Sequence, residues 1–263
     1  MEGATRIAWI TVAPVKGLAL VARTEVTLER HGVTEDRRLH LIDERGRLVN
    51  GKLLGAIVHV VADLDVAAGR LRLRFPDGSE VAGSIDLAEA VTTSFYGRPV
   101  AGRLVAGAFA EALSTFSGTQ LRLVWPDGDG DGLDRGPAGA VTMLGTGSLR
   151  RLAELAGVEA VDHRRFRMLF GVEGVDPHEE DSWIGREVAL GDAVIGVTGN
   201  VGRCMVTTRN PDSGVADLDT LRLLAGYRGV VETTEPLPFG VVGRVVSGGR
   251  VRVGDMVCVR DEA

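Results

Sequence analysis

The chain of 263 residues has only two cysteines, Cys204 and Cys258, and only two lysines, Lys16 and Lys52, among its 30 basic residues. Two cysteines are too few for a disulfide framework or a protein-bound iron–sulfur cluster. Such a low cysteine content indicates a reducing, cytoplasmic compartment. Arginine fills every other basic position, so the lysines stand out, because an ammonium and a planar guanidinium are not interchangeable.

Long apolar runs and an excess of positive charge are also lacking. No apolar run reaches the roughly 20 residues that a membrane-spanning helix needs. The first residues, Met1 to Thr5, lack the basic and apolar regions of a signal peptide. Acidic residues outnumber basic ones 36 to 30, giving a net charge of −6. We therefore expect a soluble cytoplasmic protein that binds neither nucleic acid nor membranes, because both depend on a cationic surface.

Glycine and short β-like runs dominate the pattern that is present. Residues 70–75 alternate between arginine and apolar side chains and end at a Pro-Asp-Gly turn, which is typical of a half-buried strand. Helical spacing occurs at 105–116, 148–156 and 218–225, with Asp217 as the expected N-cap of the third helix. Many short strands predict a barrel or sandwich. We expect an N-terminal β-rich domain (residues 1–105) and a C-terminal α/β domain (residues 106–263).

Two familiar kinds of metal or catalytic site are not predicted. Asp127, Asp129 and Asp131 match the first half of a calcium-binding loop, but Ala138 stands where that loop requires a bidentate glutamate. We interpret this segment as a solvated loop. The five histidines form no closely spaced pair, so neither a zinc site nor a Ser-His-Asp triad is indicated.

Two segments are candidates for binding an anion. Gly145 to Ser148 precedes a predicted helix, whose free N–H groups and dipole attract negative charge; the alternative is simple capping by Thr146 or Ser148. In the run Arg164 to Arg167, an extended backbone would place Arg165 and Arg167 on one face, where they could grip a phosphate. The alternative for this run is a solvated edge strand.

One cysteine is a candidate metal ligand. Cys204 follows Arg203 and precedes a turn at residues 210–214. A cysteine thiolate binds soft metals, whereas a cysteine in an apolar run is more often a small core residue. The second interpretation suits Cys258, which lies between valines.

The motifs occur in a characteristic order along nearly the whole chain. They are Pro14-Val15-Lys16-Gly17, Asp36-Arg37, Thr146-Gly147-Ser148-Leu149, Arg165-Phe166-Arg167, the segment Glu179 to Gly185, and Arg203-Cys204 followed by Thr207-Thr208, Pro211 and Gly214. This order resembles the MOSC family, and within it the two-domain group of amidoxime-reducing components and bacterial reductases of N-hydroxylated compounds.

The resemblance implies a mainly β fold of the β-barrel type and an oxidoreductase that carries a molybdenum cofactor, Mo-molybdopterin. It implies reduction of small N-oxygenated substrates, with electrons from a separate electron-transfer protein or reductase. It also brings a family-level association with pyridoxal phosphate. Cys204 becomes the molybdenum ligand and the catalytic residue. The matched positions imply these cofactor contacts: Lys16, Arg37, Thr146, Ser148, Arg165, Arg167 and Arg203.

Three departures from the family pattern each remove a polar group. Gly17 and Gly202 replace serines, and Met168-Leu169 replaces proline-asparagine. Two alternatives to a redox enzyme therefore stay open. One is a cofactor carrier or sulfur-transfer module that uses Cys204 without redox turnover. The other is a descendant without the cofactor, whose cavity holds a different anion.

Overall fold

The computed structural model describes residues 4–229 and 235–260. Residues 1–3, part of the segment that predicts no signal peptide, lie outside the described residues. The described ranges contain nineteen β-strands and three α-helices, which confirms the prediction of a mainly β protein with few helices. None of these helices is long and apolar enough to cross a membrane.

The first half of the chain contains strands β1 (Arg6–Val12), β2 (Val21–Arg23), β3 (Glu25–Glu29), β4 (Gly32–Val33), β5 (His40–Ile42), β6 (Leu48–Val49), β7 (Val61–Asp65), β8 (Arg70–Arg74), β9 (Glu80–Ser84), β10 (Leu87–Phe95), β11 (Arg98–Val105) and β12 (Arg122–Pro126), with helix α1 (Ala108–Ser117) before β12. The second half contains β13 (Val141–Gly145), α2 (Thr146–Ala156), β14 (Phe170–Glu173), β15 (Glu187–Leu190), β16 (Ala193–Gly202), α3 (Thr220–Arg228), β17 (Pro238–Ser247), β18 (Gly249–Arg252) and β19 (Val257–Val259).

The largest sheet combines strands from both ends of the chain. Its order is β19-β15-β16-β17-β13-β14-β1-β2, so the first strand of the protein completes a sheet built mainly by the second half. A smaller sheet pairs β3 with β18 in the same way. The expected barrel is not closed: β19 and β2 lie at opposite edges of the large sheet, and each is only three residues long. Short edge strands limit further pairing.

The N-terminal core is built by strands in which apolar and charged side chains alternate. Leu71 and Leu73 of β8 are buried while the arginines between them face solvent, as the sequence predicts. Helix α1 buries Phe109 and Leu113 in the same core, and β12 pairs with β11 and β5. The division after residue 105 stays a prediction, and the elements that follow it pack with the N-terminal sheets.

Helix α3 begins two residues later than its spacing predicts. Its N-cap is Asp219, whose carboxylate accepts a hydrogen bond from the Arg222 N–H at 3.1 Å. The expectation that Asp217 caps this helix is wrong, because the Asp217 carboxylate instead pairs with Arg165. Local periodicity carries no information about such a long-range partner.

Candidate active site

Basic side chains from distant parts of the chain meet around one cavity of about 220 Å³. The loops that follow β1 and β4 contribute to its wall, as do the segment before β14 and the end of β16. Six of the eight predicted site residues line this cavity: Lys16, Arg37, Arg165, Arg167, Arg203 and Cys204.

Cys204 presents its side chain to solvent from a fixed backbone. It lies two residues after β16 and starts a short 3-10 turn, in which its carbonyl accepts hydrogen bonds from the N–H and the hydroxyl of Thr207, at 3.1 and 3.0 Å. Within residues 4–229 and 235–260, no three His, Cys, Asp or Glu side chains cluster as a metal-binding group. Cys204 is the cysteine that lines this cavity, and a thiolate is a group that soft metals bind.

Lys16 contributes a buried amino group to the lining of the cavity. Its backbone N–H donates to the Leu39 carbonyl, and its ammonium lies 2.5 Å from the carboxylate of Asp134. Burial lowers the pKa of Lys16; the charge of Asp134 opposes this, and the charges of Arg37 and Arg167 add to it. A buried amine with one counterion and two cationic neighbours is suited to hold a second anion.

Arg37 and Arg167 link the two halves of the chain. Arg37 donates from Nη2 to the Arg167 carbonyl at 2.8 Å, and Arg167 donates from Nη2 to the Leu18 carbonyl at 2.7 Å. Both residues have positive φ angles, 52° and 53°, a conformation that is rare for arginine and concentrates at functional sites. Burial, followed by the charge of Arg37, lowers the pKa of Arg167 to about 10.

Arg203 lies beside the cysteine and is held by backbone carbonyls. Its guanidinium donates to the carbonyls of Phe239 and Phe166, at 2.8 and 3.0 Å, and contacts the sulfur of Met168. Burial lowers its pKa to about 9, while the charge of Cys204 acts in the opposite direction. These contacts fix a cation next to the exposed thiol.

Arg165 lies on the wall between this cavity and a second one of about 490 Å³. The Arg165 guanidinium pairs with Asp217 at 2.7 Å and donates to the Thr208 carbonyl at 3.3 Å. Its segment is a 3-10 turn, so the extended backbone expected for this run is wrong. The turn still directs Arg165 and Arg167 to one cavity, while Arg164 pairs with aspartates elsewhere.

The structure separates Thr146 and Ser148 from the cavity. The start of α2 holds an acid of the same chain: the Glu180 carboxylate accepts hydrogen bonds from the Gly145 N–H at 3.1 Å and the Ser148 hydroxyl at 2.8 Å. Ser148 and Glu180 are fully buried, and burial raises the pKa of Glu180. The acceptor at this helix start is thus an internal side chain, and neither Thr146 nor Ser148 lines the cavity.

The three departures from the family pattern have local causes. Gly17 has a φ of 92°, and a Cβ there would lie 3.0 Å from the Asn50 Cα, so a serine would be strained. A Cβ on Gly202 would meet the Pro236 carbonyl oxygen at 3.0 Å. Leu169 is fully buried in the core. At Gly17 and Gly202 neighbouring backbone atoms therefore occupy the space that a serine side chain would take, whereas at position 169 an apolar side chain fills the core.

Asp134 and Tyr96 also line the cavity, and the sequence analysis did not predict them as site residues. Asp134, the counterion of Lys16, belongs to the acidic segment interpreted as a solvated loop. Tyr96 lies at the tip of the β10–β11 hairpin and lines the cavity. A lone buried lysine needs a counterion, and that requirement is the signal that points to Asp134.

Gly132 sets the close approach of the acidic loop to Arg37, and an alanine there is expected to destabilise the protein. A Cβ at this position would lie 1.9 Å from the Arg37 carbonyl oxygen. We expect Gly132→Ala to lower the free energy of unfolding by about 2–4 kcal/mol, because either the loop or Arg37 must move. Urea denaturation followed by circular dichroism measures the change.

Gly226→Ala is the matched control for this substitution. Gly226 lies in helix α3 with open space around its Cβ position, and alanine favours helix over glycine by up to about 1 kcal/mol. We expect the control to be neutral or stabilising. Equal unfolding midpoints for Gly132→Ala and the unmodified protein would contradict the close approach.

Comparison with known proteins agrees with the order of motifs. The sequence profile of the MOSC domain matches residues 132–258, and that of the MOSC N-terminal beta barrel domain matches residues 4–120. The chain belongs to the MOSC family. The two matches leave only short segments of this MOSC protein uncovered. The cationic cavity is lined by residues from both matched regions.

Individual relatives of this MOSC protein are distant. It is 37% identical over 99 residues to the human mitochondrial amidoxime reducing component 2, a match covering 35% of this chain and 29% of the human protein. The YUAD protein of Bacillus subtilis aligns over 98% of this chain and 97% of its own, with 12% identity and a TM-score of 0.47. YiiM of Geobacillus stearothermophilus aligns over 48% and 57%, with 15% identity and a TM-score of 0.35. At these TM-scores neither structural likeness bears on function.

Proposed function

We propose that this MOSC protein binds a molybdenum cofactor and reduces N-oxygenated small molecules with electrons from a separate protein. One observation carries the proposal: the exposed thiol of Cys204 shares a cavity with a buried lysine and several arginines. A soft ligand for a metal and fixed cations for an anionic organic group are the two requirements of a molybdopterin. The human relative is named for the reduction of amidoximes.

The donor set of the cavity fits the cofactor. Cys204 would ligate the molybdenum, and Lys16, Arg37, Arg167 and Arg203 would hold the phosphate and the other anionic groups. Bound there, the cofactor would supply two electrons and accept the oxygen atom of the substrate. The protein contributes fixed cations, which need no reorganisation when an anion binds.

The overall reaction cleaves one N–O bond. Two electrons and two protons convert an N-hydroxylated compound into the N–H compound and water. Solvent reaches the cavity at Cys204, so protons and the product water exchange directly with bulk water. With two cysteines in the whole chain, the electrons are assigned to a separate donor protein, and the same low cysteine content supports a cytoplasmic location.

The test measures first whether the protein binds the cofactor and then whether it reduces a substrate. We expect protein expressed in a host that makes the cofactor to contain about one molybdenum and one pterin per chain, measured by mass spectrometry and by fluorescence of the released pterin. We also expect it to reduce benzamidoxime when reduced methyl viologen supplies the electrons. The absence of both molybdenum and pterin would overturn the proposal.

Two further outcomes identify the alternatives. Bound molybdenum and pterin without turnover of any N-oxygenated compound would indicate a carrier or sulfur-transfer module, for which the exposed Cys204 is equally suited. An imine absorbance band that borohydride removes would indicate pyridoxal phosphate on Lys16, the family-level association.

A further inference from the structure

Three of the four most exposed large apolar side chains among the described residues either line the Cys204 cavity or adjoin, in sequence, a residue that lines it. The loop 50–55 runs beside the loop 210–215, because a Cβ on Gly55 would lie 3.0 Å from the Gly214 carbonyl oxygen. Exposed apolar groups gathered at one place mark a binding surface. Their exposed fractions are 73% for Tyr96, 64% for Leu53, 62% for Val215 and 52% for Met205.

Tyr96 occupies a backbone position that favours another residue. The register pairs Phe95 with Arg98, so Tyr96 and Gly97 form a two-residue turn, and both have positive φ angles, 51° and 92°. Turns of this kind favour asparagine and glycine, because other side chains cost roughly 1–2 kcal/mol in the left-handed region. A residue with a strained backbone at the edge of this cavity points to a role in function.

The ring of Tyr96 is placed to meet a small molecule rather than to support the fold. Tyr96 lines the same cavity as Cys204 and Lys16, and the Nδ2 of Asn50 lies 3.5 Å from its hydroxyl oxygen. With most of its surface exposed, the ring adds little to the core. A free aromatic face at this place can stack on a flat π-system.

We propose that Tyr96 is a specificity-determining residue, whose ring stacks on the flat aromatic body of the substrate and directs its N–O group toward Cys204. The inference rests on the proposed function and names the substrate class: aromatic N-oxygenated compounds, bound in preference to aliphatic ones. Met205, next to Cys204 in the chain, is also exposed and would add apolar contact beside the thiol.

The test compares two substrates with the same reacting group in the loaded protein. Benzamidoxime and acetamidoxime are reduced with methyl viologen as donor, and kcat/KM is measured for each. Tyr96→Asn suits the turn but removes the ring, whereas Tyr96→Phe keeps the ring. We expect Tyr96→Asn to lower the ratio of aromatic to aliphatic kcat/KM about fivefold to tenfold, and Tyr96→Phe to keep it within twofold.

A binding measurement makes the test independent of turnover. Saturation-transfer NMR reports the affinity of benzamidoxime and acetamidoxime for the loaded protein without electrons. We expect the same loss of aromatic preference in Tyr96→Asn. Leu155→Asn, an exposed position on α2 outside the cavity, is the control that leaves the preference unchanged.

Each remaining outcome decides the matter. An unchanged aromatic preference in Tyr96→Asn, or an equal loss for both substrates, overturns the role of the ring. A loss of rate in Tyr96→Asn with a protein electron donor but not with methyl viologen assigns the ring to docking of that protein, and also overturns it. If the unmodified protein turns over neither compound, the proposed reaction fails, while the NMR comparison still decides whether Tyr96 selects aromatic ligands.

Discussion

Replacing Cys204 with alanine is expected to abolish reduction of N-oxygenated substrates, with a fall in kcat of at least about 10³-fold. The reason is that this thiol is the soft ligand in the cavity, so the variant loses the link between protein and metal. Because Lys16 and the arginines are untouched, we expect the pterin to remain partly bound. Molybdenum and pterin contents, measured on the same sample, separate the two effects.

Cys258→Ala is the matched control for that experiment. The interpretation of Cys258 as a small core residue is wrong, because its side chain on β19 points away from the buried neighbour Val257 and is exposed; it does not line the cavity. We expect normal metal content and normal rates. Cys204→Ala protein with full molybdenum content and unchanged turnover would show that the metal is held elsewhere.

Acid is expected to destabilise the fold through a buried histidine beneath the cavity. His40 is fully buried, and burial, followed by the charge of Lys16, lowers its pKa to about 3. The unfolded chain therefore binds a proton at His40 below about pH 6.5 that the folded chain excludes, so stability is lost as the pH falls from about 6.5 toward 3. The resulting loss in the free energy of unfolding is roughly 2–4 kcal/mol at the acid end of this pH range.

Urea unfolding measured across this pH range tests the expectation. Burial also lowers the pKa of His178, to about 4, which adds to the slope in the same direction. We expect His40→Gln to flatten the pH dependence, because glutamine has no proton to exclude. His31→Gln, at an exposed position, is the control. A slope that is identical in His40→Gln and the unmodified protein would contradict this account.

Much of the fold could be predicted from local pattern. Alternation located β8, and apolar spacing located the helices to within a few residues. The strand order of the sheets could not be predicted, because β1 and β3 pair with strands more than 150 residues away. Such pairings depend on tertiary packing, and the local periodicity of apolar residues carries no information about it.

The candidate site was predictable where charge and motif coincide. Lys16, Arg37 and Cys204 meet as the resemblance implies, because a cavity for an anion must collect cations. Ser148 was assigned to the cavity because its helix start looks the same whether the anion is a ligand or Glu180. Tyr96 was missed because its two-residue turn carries no chemical signal of its own.

The place of β1 in the large sheet determines when the protein can assemble during its synthesis. Arg6 faces Glu173 across the sheet and also bridges to Met256. Strand β1 can pair early with β2, but its other neighbour, β14, is synthesised about 160 residues later, so this side of the sheet depends on late, distant contacts. Since Lys16 lies in the loop after that strand and Cys204 lies far along the chain, the cavity forms only after both distant segments have been translated.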